Sequence, residues 1–220
     1  MPKLPIALLA LASLSTIGLS TVALSSGAQA HEVWVERDGN GPARIYLGEP
    51  GDVLPEGGDP EFANLKAPRL VPASNAPQTR KAGYIEVAAP AGDVRVIDDG
   101  VFAPWGEEGK KEGVIYYARA GRSEAKAGLP LEIVPTAANA DSFTLLRDGK
   151  PVPATKLTVI SPDKWSKSFT TDAQGRVTVP FKDKGRYILT ATQEEKGDLI
   201  LASQKVATLY HIATLTFAKN

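Results

Sequence analysis

The sequence predicts an all-β protein: two β-sandwich domains, residues 31–122 and 129–220, behind a signal peptide at residues 1–30. Three observations predict this. Short runs rich in Val, Ile, Thr, Tyr and Phe alternate with clusters of Gly, Pro, Asn and Asp. Beyond residue 30 no window sustains the apolar period of an amphipathic helix. The 20 glycines and 17 prolines follow no repeat, which excludes collagen-like and low-complexity chains and leaves turns as their role.

In chain order, Lys3 precedes an apolar run from Leu4 to Leu24, and Ser25-Ser26-Gly27-Ala28-Gln29-Ala30 supplies the small residues of a cleavage site. Cleavage after Ala30 makes His31 the first residue of an exported, periplasmic chain; an uncleaved anchor would leave His31 without a free amine. Residues 31–37 and 43–47 read as a first hairpin across Asp38-Gly39-Asn40-Gly41-Pro42. Residues 48–81 read as a long irregular Pro-rich excursion, either a plain surface insertion or a binding loop. Strands resume at 84–88, 94–97 and 114–119, where Tyr116 and Tyr117 point to opposite faces. Residues 120–128 form a seam. A second series follows at 131–135, 142–147, 155–160, 168–171, 176–181, 185–193 and 206–217.

Composition removes several function classes. Lys3 is the one charge before residue 31, so of 25 basic and 25 acidic residues the processed chain keeps 24 and 25, a net charge of −1. That balance offers nothing to nucleic acid or to an anionic membrane, and the membrane is met only through an uncleaved signal. With no cysteine there is no disulfide scaffold, no lipid-anchoring cysteine and no thiol nucleophile. The one methionine is the initiator, so soft sulfur ligation is excluded after processing. No Gly-x-Ser-x-Gly motif occurs, and no enzymatic reaction is expected.

Residues 142–195 carry a recognisable pattern. It comprises Asp148-Gly149-Lys150-Pro151-Val152, Leu157-Thr158-Val159-Ile160, Thr170-Thr171-Asp172-Ala173-Gln174-Gly175-Arg176-Val177 and Lys184-Gly185-Arg186-Tyr187-Ile188-Leu189. This stretch resembles the transthyretin-like, carboxypeptidase-regulatory sandwich, which speaks to fold and not to function. Together with the start His31-Glu32-Val33-Trp34 and the last strand His211-Ile212-Ala213-Thr214-Leu215-Thr216-Phe217, the chain resembles the NikM-like periplasmic family of unknown function associated with nickel and cobalt uptake. The resemblance implies a place near transition-metal uptake, with a membrane metal transporter or outer-membrane receptor as partner.

His31 and His211 are the only histidines. A processed His31 offers an α-amine and an imidazole, a chelating pair suited to nickel or copper in a tetragonal nitrogen site. Histidine at mature position three, the other N-terminal copper–nickel arrangement, is excluded because Val33 stands there. His211 falls on the more apolar side of the last strand, with Leu209, Ala213, Leu215 and Phe217. It reads either as a core histidine or as a metal ligand. Because domain termini often lie close together, the expectation is a shared site on His31 and His211, completed by carboxylates that sequence cannot choose among 25. Glu32 alternates away from His31 and is a poor candidate. The expected function is a metal-binding accessory protein that passes nickel, cobalt or copper to an uptake system. The alternatives are a copper-dependent oxidase of histidine-brace type and a structural or adhesion module without metal.

Overall fold

The computed structural model describes residues 31–220; the predicted signal peptide lies outside the described residues. The protein is all-β, and its strands form three sheets. The first half holds β1 (Glu32–Arg37), β2 (Ala43–Gly48), β3 (Arg69–Val71), β4 (Gln78–Lys81), β5 (Tyr84–Val87), β6 (Val94–Asp98) and β7 (Glu112–Ala120). The second holds β8 (Leu131–Pro135), β9 (Ser142–Arg147), β10 (Lys150–Pro151), β11 (Lys156–Ile160), β12 (Ser166–Thr170), β13 (Arg176–Thr178), β14 (Gly185–Leu201) and β15 (Gln204–Lys219).

A seven-stranded sheet, β12-β11-β14-β15-β7-β6-β3, draws on both halves. Its centre is the parallel pair β15–β7, with Thr208 opposite Glu112 through Thr216 opposite Ala120. The sheet β1-β2-β5-β4 covers one face. There Val33, Val35, Ile45, Leu47 and Ile85 pack with Val96, Val114, Tyr116, Ala118 and Ile212. The β8, β9, β10 and β13 sheet covers the other, where Leu131, Ile133, Phe143 and Leu145 pack with Tyr117, Leu157, Leu189, Leu215 and Phe217. Tyr116 and Tyr117 thus serve different cores, as strand alternation requires.

β1 lies across the central sheet as an edge strand. Its outward carbonyls are met by hydroxyls: Thr214 Oγ1 donates to the Val33 oxygen at 2.8 Å, and Thr216 Oγ1 donates to the Val35 oxygen. These bonds satisfy an edge that would otherwise be open.

Two regions differ from the sequence reading. The 48–81 excursion contains β3, β4 and a 3-10 turn over Pro60–Asn64. β14 and β15 continue through charged residues 194–201 and 204–205, where composition suggests a loop. This arm turns at Ala202 and Ser203, both at positive φ, and shifts register between Lys196 and Leu199. Residues 194–198 are polar and mostly exposed, and apolar residues of the arm, Leu199, Leu201 and Val206, cluster near its turn, so the apolar alternation that marks a half-buried strand is missing.

The 120–128 seam is fixed by buried charge. Glu132 Oε1 accepts from Arg119 Nη1 at 2.7 Å and from Arg95 Nε at 2.8 Å. Its Oε2 accepts the Gly128 and Leu129 backbone N–H groups. Asp93 pairs with Arg119 at 2.5 Å and also accepts from Ser123. Burial alone would raise the Asp93 carboxyl; the Arg119 and Ser123 donors outweigh it and hold it below the usual carboxylate range. Arg119 is fully buried, so deleting Glu132 leaves it with Asp93 alone and also takes a buried partner from Arg95. Glu132→Ala is expected to cost roughly 3–5 kcal/mol in urea unfolding. A loss under about 1 kcal/mol, the range of exposed pairs, would refute that role.

Candidate metal site

The excursion brings a carboxylate to His31. Asp59 caps the Pro60–Asn64 turn, accepting the Glu61 N–H at 2.7 Å. The turn is anchored by Phe62 and Leu65, both in the first core. Arg80, from β4, donates to the carbonyls of Phe62 and Leu65, and its guanidinium lies 4.3 Å from the centre of the Phe62 ring. So held, Asp59 Oδ1 stands 3.1 Å from His31 Nε2. The two side chains are only 16% and 11% exposed, which shields the contact from the screening that weakens surface pairs. Phe102 meets the imidazole edge-on, with ring centroids 6.3 Å apart. A carboxylate can only accept, so at this contact Nε2 is the donor.

Glu32 turns the other way, as alternation predicts. Its Oε1 accepts the Thr190 hydroxyl at 2.9 Å, while Oε2 is buried without a hydrogen-bond partner. Burial pushes this carboxyl up to about 7; the Thr190 bond opposes the shift only in part.

The expectation of a site shared by His31 and His211 is not met. Alternation along β15 sends His211 to the face that packs against β8 and β9, whereas His31 lies with Asp59 and Phe102 on the β1 side. First and last strands do lie side by side, but the central sheet separates their histidines. His211 Nδ1 is 3.0 Å from the Tyr117 hydroxyl. Its Nε2 is 3.0 Å from both Glu195 Oε2 and Arg147 Nη2, and Arg147 also donates to Glu195 at 2.7 Å. A carboxylate can only accept and a guanidinium only donate, so Glu195 and Arg147 ask opposite roles of Nε2. The Tyr117 hydroxyl at Nδ1 is pushed by burial up to about 12. Burial, and then the Arg147 cation, hold the imidazole below its ordinary range, against the pull of Glu195. Among the described residues, no group of three or more His, Asp or Glu side chains gathers to hold an ion.

The family model that matches this chain is a domain of unknown function, DUF4198, over residues 78–195. The chain belongs to the DUF4198 family. No curated protein and no solved structure matches it. The DUF4198 match runs from β4 into β14, so it holds Tyr117, Arg147 and Glu195 but neither histidine and not Asp59. Asp59 is the site residue that sequence reasoning missed. Its trace in the sequence is Asp59-Pro60-Glu61, a capping pattern that marks a turn and says nothing of a histidine 28 residues away. The partners of His211 lie 16, 64 and 94 residues from it, with no spacing signal at all.

The two buried groups bias stability in opposite directions with pH. For Glu32 the folded value is raised, so its contribution is complete below 4.5 and is lost as pH rises towards about 7. For His211 the folded value is lowered, so stability is lost as pH falls below the ordinary imidazole range near 6.5. Thermal unfolding across pH should show Glu32→Gln removing up to about 3 kcal/mol of the fall in stability between about 4.5 and 7, and His211→Gln flattening the loss below about 6.5. Parallel curves for wild type and both variants would contradict this assignment.

Proposed function

We propose that this is an exported accessory protein that binds nickel, cobalt or copper at a processed N-terminal His31 and passes the ion to an uptake system in the membrane. The observation that carries the reading is the contact between His31 Nε2 and Asp59. His31 is the residue that cleavage after Ala30 would expose, and its far ring nitrogen is held by a shielded carboxylate. Such a carboxylate fixes the tautomer and raises the basicity of a metal-binding imidazole. The chelating pair is then Nδ1 with the new α-amine, both nitrogen donors that suit these ions. Binding releases protons at neutral pH, since the amine titrates near ~8. The resemblance to the NikM-like family supports the choice of ions and a periplasmic location.

His211 does not enter this reading, because a metal at its ring would have to displace Tyr117 or sit against the Arg147 guanidinium. The copper-oxidase alternative needs a second imidazole beside the first, and the other imidazole of the chain lies across the sheet.

Calorimetry on protein beginning at His31 tests the proposal. One equivalent of Ni(II), Co(II) or Cu(II) should bind. One extra residue ahead of His31, which turns the amine into a peptide nitrogen, should weaken binding sharply. Asp59→Asn should cost about 10- to 100-fold. Equal affinity for the processed and extended chains, or no binding by either, would end the reading.

A further inference from the structure

Three glycines from three parts of the chain pack at or beside Asp59, where a side chain larger than hydrogen would crowd its neighbours. Gly58 directly precedes Asp59 and crosses Gly83, in the turn between β4 and β5. A Cβ on Gly58 would lie 2.2 Å from the Gly83 Cα, and one on Gly83 would lie 2.8 Å from the Gly58 Cα. Both residues have positive φ, 92° at Gly58 and 82° at Gly83, the left-handed region in which a Cβ is strained as well as crowded. Gly48 closes β2 opposite Glu32, beside the start of β1. A Cβ there would meet Asp59 itself, 3.1 Å from Oδ2 and 3.2 Å from its Cβ, and Leu54 at 3.0 Å.

One of these glycines lies against the Asp59 carboxylate, and the other two cross at the residue before it. The Gly58–Gly83 crossing presses the excursion against the β4–β5 hairpin immediately before Asp59. Gly48 is the floor on which the Asp59 carboxylate rests. Gly57, one residue earlier, has the same kind of backbone, with φ 90°, yet its Cβ would meet nothing within 4 Å. Within this excursion, crowding therefore separates Gly48 and Gly58 from Gly57, while positive φ does not.

We propose that Gly48, Gly58 and Gly83 are positioning residues for the His31 site, acting through Asp59: together they set the distance at which its carboxylate holds the imidazole. The proposal rests on the metal-binding reading of that site only for its affinity readout. Bulk at Gly48 or Gly83 moves Asp59, and a hydrogen bond at 3.1 Å has little distance to give before it is lost. The imidazole then keeps its chelating atoms but loses the orientation that precedes binding.

The test uses the processed full-length chain, with Gly83→Ala, Gly48→Ala and Gly57→Ala each made in the wild-type and Asp59→Asn backgrounds. Circular dichroism verifies folding, and Ni(II) titration by calorimetry gives affinity. Without metal, ring-nitrogen shifts of His31 report whether Nε2 still carries the proton bonded to Asp59. Gly83→Ala and Gly48→Ala should weaken Ni(II) binding by about tenfold or more and disturb the Nε2 signal, with no further effect once Asp59 is Asn. Gly57→Ala should change neither readout. The proposal is overturned if both crowding variants keep the wild-type Nε2 signal, or if they weaken binding equally in the Asp59→Asn background. If wild type binds no Ni(II), the functional reading falls, and the metal-free nitrogen signals still decide the positioning role.

Discussion

The last strand, β15, has a different hydrophobic core on each of its faces. Ile212 serves one core; Ala213, Leu215 and Phe217 serve the other. It also joins the halves of the chain, with β14 antiparallel along one edge and β7 parallel along the other. A strand used on both faces reads as nearly continuous apolar sequence, and residues 211–217 are buried throughout. The hydroxyls of Thr214 and Thr216 are the polar exceptions. They are spent on the edge carbonyls of β1, so the strand that begins the described chain is seated on the strand that ends it. This arrangement brings the ends of the chain together and keeps their histidines apart. The backbone contact is made on one face of β15 while the His211 side chain leaves from the other.

The excursion that composition marks as irregular is held as firmly as the strands around it. Phe62 and Leu65 are buried, Arg80 spans the turn from β4, and two glycine backbones cross without side chains between them. Such a loop presents Asp59 as a preformed partner, so little ordering entropy remains to oppose binding. A mobile loop carrying the same aspartate would have to be immobilised by each ion it helped to hold.

Strand alternation and turn chemistry made much of the fold legible. The first hairpin, the two tyrosines on opposite faces, the apolar side of the last strand and the Asp172 turn can all be read from local pattern; Asp172 accepts the backbone N–H groups of Gln174 and Arg176 as its turn motif requires. The order of strands in the central sheet could not be read so, because pairing β15 with β7 depends on surfaces nearly a hundred residues apart. The β14–β15 arm was hidden by the exposure of residues 194–198, where charged residues replace the alternation that would reveal a strand. At the site, His31 stood out because histidine is scarce here. Asp59 did not, as one acid among 25, whose selection follows from how Phe62, Gly58 and Gly83 pack.

The DUF4198 match and the candidate site divide the molecule in a way the packing explains. The matched span encloses the buried ion network whole: Asp93, Arg95, Arg119, Glu124 and Glu132 all fall within residues 78–195. Its buried members tolerate little change, since removing Glu132 or Arg119 leaves a buried opposite charge short of a partner. It locks β6 and β7 to β8, and so fixes the platform on which β15, and through its threonines β1, must lie. The groups of the candidate site are attached to this platform from outside the span, His31 at the start of β1 and Asp59 on its strapped turn. The scaffold therefore sets where β1 ends, and the glycines around Asp59 set what waits there for the imidazole.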